Sequence, residues 1–517
     1  MANSTNKPQR FIWVAFLLLL LGGSTLLYCT LPLSTRISAW GPTVLRNWHD
    51  FGFFQLHGKL VYNPGGGGLP DHPIVYGGHR ALSLYPAYLA SHLPGKEGLA
   101  YFLCLSLAIG LGVWRLLGGG LTGMTAAVLT VFTPCFVDTL PTLDTLDIPV
   151  LLSIPFLCWI RDLLAPEKIS FRALVLLLVL VAAYAPLNWT TILGFGIVMA
   201  YLAAALPGKF RRVILFACIT GVAGALVLAI SLIDKAGDSH HAMRTEQFSK
   251  LFNNYLWGAE GYGGQNPMTT GKAFSRLAII GVISLLPLWI FFIRLAVRTL
   301  RQTKNPMASL FKPSWPLLAA IGLVGGLRNY FAHHPWMAGP VFICGIVFSC
   351  RLLLDQAPPV APAESEKGTF RAALSWGGPA VLGLAYSLGI LLCLRVNTAS
   401  VDALVRLTGH TDRQAVIYFS PQTDPWLAAN TKRLDLLDRV IKPLPEGNLP
   451  TKTADQFLLT SQTSPAYGTA LASTQSEPDF FSPFVARLLD WYRVHVAKRA
   501  PGDRIEVNQV LFLYPLP

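Results

Sequence analysis

The feature that most constrains this chain is the recurrence of long apolar runs divided by short polar stretches. Eleven such runs are read, near residues 11–31, 98–117, 119–137, 146–164, 170–188, 190–206, 212–233, 275–298, 313–328, 334–354 and 371–395. A helix that crosses a bilayer needs about 20 predominantly apolar residues. Inside the bilayer every backbone polar group must be satisfied within the chain, so such runs fold as helices. Charge agrees with hydropathy: 13% of residues are charged, where a soluble domain carries about 25%. The expected fold is mainly α, a polytopic membrane helix bundle of about eleven spans. The first run has the length of a span and no small-x-small cleavage site, so it reads as a span rather than a removed signal peptide.

Orientation follows from lysine and arginine. With the N-terminus inside, alternate loops hold Lys7 and Arg10, then Arg115, then Arg161, Lys168 and Arg172, then Lys209, Arg211 and Arg212. The series continues with Arg294, Arg298, Arg301, Lys304 and Lys312, and ends with Arg351, Lys367 and Arg371. These 17 cations face five acids (Asp162, Glu167, Asp355, Glu364 and Glu366), which accounts for +12 of the formal +14. The positive balance is therefore topological, and a nucleic-acid partner is rejected. Eleven spans put the C-terminus outside, at a cell (inner) membrane with the periplasm beyond it. The eight cysteines all fall in spans or at their ends and form no CxxC, so neither a disulfide framework nor a cysteine metal site is expected.

All eleven histidines lie on the outer side of this topology. The first outer loop, 32–97, is too long for a simple connection. Its stretch 40–60 spaces apolar and aromatic residues as an interfacial amphipathic helix would, and "NWHDFGFF" places His49 and Asp50 among aromatics. The same loop carries His79 and Arg80. At the mouth of the third and fourth spans, "FVDTLPTLDTLDIPVLL" holds Asp138, Asp144 and Asp147. Asp144 and Asp147 would share a helix face, and Asp147 leads directly into an apolar span, where ionisable residues are usually functional. For Asp144 the helix dipole is an equally good structural reason. A further loop, 234–274, is polar, aromatic and glycine-rich, as a ligand-covering segment would be, and contributes Arg244. Between the ninth and tenth spans "GLRNYFAHHPWMAGP" holds Arg328, His333 and His334. Arg328 breaks the charge bias, and a cation kept there suits an anionic partner such as phosphate.

Residues 396–517 change character. "AVIYFSP", "QFLLTSQ" and "RIEVNQVLFLYPL" read as strands, "DPWLAANTKRLDLLDRVI" and "SPFVARLLDWYRVHVAK" as amphipathic helices. This gives a transmembrane domain over 1–395 and a small α/β outer domain over 396–517.

The layout resembles the GT-C class of integral-membrane glycosyltransferases, such as protein O-mannosyltransferases and lipid A aminoarabinose transferases. The resemblance rests on the first span, the long outer loop with an acid shortly after it, the acid opening the fourth span, the His/Arg-bearing loop near the last spans, and the C-terminal outer domain. It implies transfer of a sugar from a polyprenyl-phosphate-linked donor to a glycan, lipid or protein acceptor at the outer face. It also implies that Asp50, the acid of the first outer loop, is the catalytic base or its metal-holding counterpart. Family members often carry two adjacent acids or an acid-x-acid pair there. In this chain His49 precedes Asp50, which leaves a divalent cation open as a cofactor, with His49 as its second ligand or simply as packing between Trp48 and Phe51. His49 is also a candidate to bind donor or acceptor, together with His79, Arg80, Asp144, Asp147, Arg244, Arg328, His333 and His334.

The chemistry fits the residues. A polyprenyl phosphate leaves readily from a sugar C1, so the enzyme must deprotonate an acceptor hydroxyl and hold the departing phosphate. Three other readings stay open: a surface-polysaccharide ligase or polymerase relying on Arg and His, a transporter, and a non-catalytic membrane scaffold. The transporter is disfavoured because ionisable residues gather at one face rather than in mid-span.

Overall fold

The computed structural model describes residues 7–31, 40–58, 61, 81–92, 99–139, 147–164, 166, 169–187, 190–206, 208–237, 275, 277–302, 310–328, 331, 338–356, 377–394, 406–407, 410–411, 415–420, 440–444, 456–460, 470–475 and 510–515. Its helices, in chain order, are α1 (Lys7–Thr30), α2 (Trp40–Phe51), α3 (Tyr85–Ser91), α4 (Leu99–Leu116), α5 (Gly120–Val131), α6 (Pro134–Thr139) and α7 (Asp147–Leu164). They continue with α8 (Phe171–Tyr184), α9 (Thr191–Ala205), α10 (Phe210–Gly237), α11 (Leu286–Gln302), α12 (Trp315–Gly326), α13 (Ala338–Gln356) and α14 (Gly377–Leu394). Each of the eleven apolar runs therefore carries helix. Five helices are individually long and apolar enough to cross a membrane, over Phe11–Thr30, Leu99–Leu116, Phe210–Val227, Ala338–Gln356 and Gly377–Leu394. The chain is a multi-pass membrane protein.

The runs 119–137 and 275–298 depart from simple helices. The run 119–137 is broken at Phe132–Thr133, between α5 and α6. The residue before a proline avoids helical geometry, and Pro134 follows Thr133, whose hydroxyl donates to the Thr130 carbonyl at 2.9 Å. The run 275–298 begins with a π-turn over Ile279–Ile283 before α11. Wider turns of this kind loosen the usual carbonyl ladder, and here two side chains cover the carbonyls. The Trp289 indole donates to Gly281 O and the Tyr386 hydroxyl to Ile283 O, both at 2.6 Å.

The chain divides into two compact units: Met1–Tyr28 with Gly77–Ser387, and Cys29–Tyr76 with Leu388–Pro517. In the first, close helix approach is set by small residues. A Cβ on Gly112 of α4 would stand 3.2 Å from the Pro155 nitrogen of α7, and the Cys158 thiol donates to Gly112 O at 3.3 Å. Threonines within the apolar helices turn their hydroxyls onto their own helix, as Thr25, Thr125, Thr130, Thr220 and Thr299 all do toward the carbonyl four residues back. That satisfies a polar group where no water is available.

Contacts define the two ends of this bundle. α4 and α5 form a tight hairpin through Gly118, Gly119 and Gly120, at φ +85°, +74° and +63°, values that only glycine adopts at low cost in succession. Beside this turn Arg115 pairs with Asp162 near the end of α7 at 2.6 Å. Arg212, at the start of α10, donates to Leu164 O at 2.6 Å. Arg351, near the end of α13, reaches Gly118 and pairs with Asp355. Four of the loops that the charge pattern assigns to one membrane face thus share one end of the bundle.

In the second unit, a five-stranded sheet has the order β2-β1-β3-β5-β4, with β1 Val416–Phe419, β2 Val440–Pro443, β3 Gln456–Thr460, β4 Ala472–Gln475 and β5 Val510–Pro515. β1 is parallel to β2 and β3, whereas β5 is antiparallel to β3 and β4. Both faces of its centre are buried. Tyr418, Leu458 and Tyr514 stand side by side on one face, and Phe419, Leu459 and Leu513 on the other. Parallel strands covered on both sides read in this apolar way. The strands expected at 415–421, 456–462 and 504–516 are present in shortened form. β2 and β4 are additional, and β2 corrects the helix expected over 424–441 at its last two residues. The rest of that helix and the one expected over 482–498 lie outside the described residues.

Candidate active site

Asp50 sits on α2, and the burial of α2 explains its setting. Val44, Leu45, Asn47 and Trp48 are buried, while His49 and Asp50 are exposed. At 100° per residue the buried positions form one stripe and His49 and Asp50 fall on the other side. The helix is therefore amphipathic, but shorter than the 40–60 expected. It ends because Gly52 takes φ +86°, a left-handed stop that glycine supplies most cheaply. Turns then run to Gly58, with Leu56 N bonded to Gly52 O at 3.1 Å and Gly58 N to Phe53 O at 2.9 Å.

Two interactions anchor the buried stripe. Asn47 Nδ2 donates to the Val61 carbonyl at 2.8 Å, in a buried setting. The Trp48 ring is fully buried and meets Phe53 edge-on at 5.1 Å. His49 is exposed and lies about 100° around the helix from Trp48. A histidine in the last turn suits the negative end of the helix dipole, whereas a carboxylate there is opposed by it, an effect of about 0.3–1 kcal/mol. The helix dipole thus gives no reason for an acid at Asp50. Consecutive residues on a helix point about 100° apart, and His49 and Asp50 are neighbours of this kind on α2. Among the described residues no three His, Cys, Asp or Glu side chains are grouped to hold a metal ion.

In the bundle, the other candidates can be placed by element. Asp162 lies at the basic end of α7, so Asp147, which opens the helix, lies at the opposite end. The α4–α5 hairpin turns at the basic end, so α5 leads to α6 and Asp138 at the opposite end as well. There Cys135 of α6 packs against Gly339 at the start of α13. Along α12, Leu317 N bonds Ser349 Oγ near the finish of α13 at 3.2 Å. The other terminus of α12, followed by Arg328, therefore lies with Gly339. Asp138, Asp147 and Arg328 are gathered at the end of the bundle remote from the basic loops. Arg328 is half-buried and has no hydrogen-bond or ion-pair partner among the described residues. His79, Arg80, Asp144, Arg244, His333 and His334 lie outside the described residues.

Sequence reasoning passed over His57. It is exposed and takes φ +51°, a left-handed conformation uncommon for a residue with a side chain and often found at functional positions. Only the flanking Gly52 and Gly58 hint at this in the sequence.

The chain matches no protein-family model and no curated protein. Among solved structures it is similar to ArnT from Cupriavidus metallidurans in the apo state, over 98% of each chain, with 12% identity and a TM-score of 0.46. At that degree of likeness no residue role or activity passes from one chain to the other.

Proposed function

We propose that the protein is a membrane glycosyltransferase that moves a sugar from a polyprenyl-phosphate-linked donor to an acceptor at the outer face of a cell (inner) membrane, with Asp50 as general base. The observation that carries this reading is the placement of Asp50. It is an exposed carboxylate in the last turn of an amphipathic helix, opposite the buried stripe of Asn47 and Trp48. The helix dipole does not favour a carboxylate at that position.

The reaction divides between two groups. Asp50 accepts the proton of an acceptor hydroxyl as that oxygen attacks the sugar C1. The C1–phosphate bond breaks and the polyprenyl phosphate leaves with its electron pair. A positioned base of this kind is worth about 10²–10⁴-fold. Arg328 is the cation for the departing phosphate, because a guanidinium offers paired donors to two phosphate oxygens. His333 and His334, close to it in sequence, would assist. Asp144, Asp147, His79, Arg80 and Arg244 are assigned to donor or acceptor binding. No step here is routed through a metal.

The test is transfer of label. Purified protein, radiolabelled polyprenyl-phosphate sugars and a membrane extract should yield a labelled acceptor, and label that stays wholly on the polyprenyl donor would reject the reading.

A further inference from the structure

The basic end of the bundle holds more than a charge pattern requires. α5 starts at Gly120, directly after the glycine turn. Gly119 caps it without a side-chain bond, and a Cβ at Gly120 would meet nothing within 4 Å. The start of α5 is therefore open to its surroundings. A helix start carries partial positive charge and unpaired N–H groups, which suits an anion.

Three side chains around the turn point the same way. Trp114 Nε1, Tyr201 OH and Arg351 Nε are buried and make no hydrogen bond among the described residues. All three can donate, and a buried donor left unpaired is costly. Trp114 Nε1 would stand 4.0 Å from a Cβ on Gly119, and a terminal nitrogen of Arg351 3.0 Å from a Cβ on Gly118. Tyr201, which is wholly buried, lies in the field of Arg161, Asp355 and Arg351. A cation kept only to orient the chain would stand in water, whereas the Arg351 side chain is 14% exposed.

The local charges nearly cancel. Asp355 pairs with Arg351, and Asp162 with Arg115. Arg161 makes no ion pair or hydrogen bond among the described residues, so one positive charge is left over, the complement of a phosphodiester. The surface beside these groups is apolar. Leu111, one turn before Arg115 on α4, and Trp159, 5.1 Å beneath the Arg115 guanidinium, are 38% and 50% exposed. Such surface suits acyl chains, and basic pockets between membrane helices take anionic headgroups.

We propose that the turn between α4 and α5, with Trp114, Arg161, Tyr201 and Arg351, binds the phosphodiester of an anionic membrane lipid. The site lies at the end of the bundle remote from Asp147 and Arg328, and it does not depend on the transferase reading.

The experiment titrates the full-length protein, delipidated in detergent, with phosphatidylglycerol and counts bound lipid by native mass spectrometry. One phosphatidylglycerol should bind before any others, phosphatidylcholine should bind more weakly, and millimolar inorganic phosphate should not displace the lipid. Arg161→Gln and Tyr201→Phe each remove one donor to a charged group, so either should weaken that first binding by roughly tenfold. Arg211→Gln, an exposed cation at the same end, should bind as the parent does. Tyr201→Phe also deletes a buried hydroxyl that has no partner without lipid, so the delipidated variant should melt at or above the parental temperature. If it melts lower, Arg161→Gln alone decides. Parental affinity in Arg161→Gln would overturn the proposal. So would an equal loss in Arg211→Gln, which would mean diffuse charge attraction, equal binding of phosphatidylcholine, or full displacement by phosphate, which would mean a free-phosphate site.

Discussion

Replacing Asn47 by alanine tests how the helix that carries Asp50 is held. Asn47 is 1% exposed, and its amide spans from α2 to the Val61 carbonyl at 2.8 Å. Alanine leaves a carbonyl unpaired in a buried setting, which costs about 1–3 kcal/mol. Each 1.4 kcal/mol is tenfold in an equilibrium, so local opening should become roughly 5- to 150-fold more frequent. Hydrogen exchange followed by mass spectrometry, on a peptide covering residues 44–56, reads this directly, because amide protection follows local opening free energy. Gln55→Ala is the control: Gln55 is exposed in the turn after α2, and surface changes usually stay within about 0.5 kcal/mol. Unchanged protection in Asn47→Ala, or an equal loss in Gln55→Ala, would refute the claim that this bond fixes the helix.

Three further outcomes are expected. Gly339→Ala drives a methyl into the Cys135 thiol, with the Cys135 Cβ 3.0 Å away. It should lower stability by about 1–3 kcal/mol, partly restored by Cys135→Ala, and a parental melting temperature in the single variant would contradict the packing. Trp289→Phe removes the donor to Gly281 O in the π-turn and should cost about 1–3 kcal/mol; thermal unfolding indistinguishable from the parent would show that another group covers that carbonyl. Arg328→Ala should weaken binding of a polyprenyl-phosphate sugar, with Arg328→Lys recovering only part, since lysine lacks the bidentate fork. Equal donor affinity in the parent and the alanine variant would remove the phosphate assignment.

Much of the fold was legible because bilayer length imposes itself on sequence. A run such as 334–354 can only be helix, and Ala338–Gln356 is one. The charge pattern was equally readable, and contacts among Arg115, Asp162, Arg212 and Arg351 gather its loops at one end. Turn geometry was less visible. Hydropathy ran straight across Thr133–Pro134, and Gly52 stopped α2 well before residue 60. Strand β2 was hidden because "LDLLDRVI" has helical spacing, yet Val440 and Ile441 pair with Val416 and Ile417. Pairing with a neighbouring strand overrides local pattern of this kind. Strand β4, "ASTQ", lies at the edge of the sheet and lacks the apolar alternation that would betray it. At the site, Asp50 was visible as an acid in an aromatic setting, but the exposed side of α2 was not. Which side of α2 is buried depends on where Val44, Leu45 and Trp48 find partners, and residue order alone did not reveal that.

Turnover of Asp50→Asn measures the central claim most directly. The amide keeps the size of the side chain and removes its basicity, and the melting temperature of the variant is measured alongside its turnover. With labelled polyprenyl-phosphate donor and acceptor, transfer should fall by roughly 10²-fold or more while donor affinity holds. An Asp50→Asn protein that transfers label at the parental rate would contradict the account.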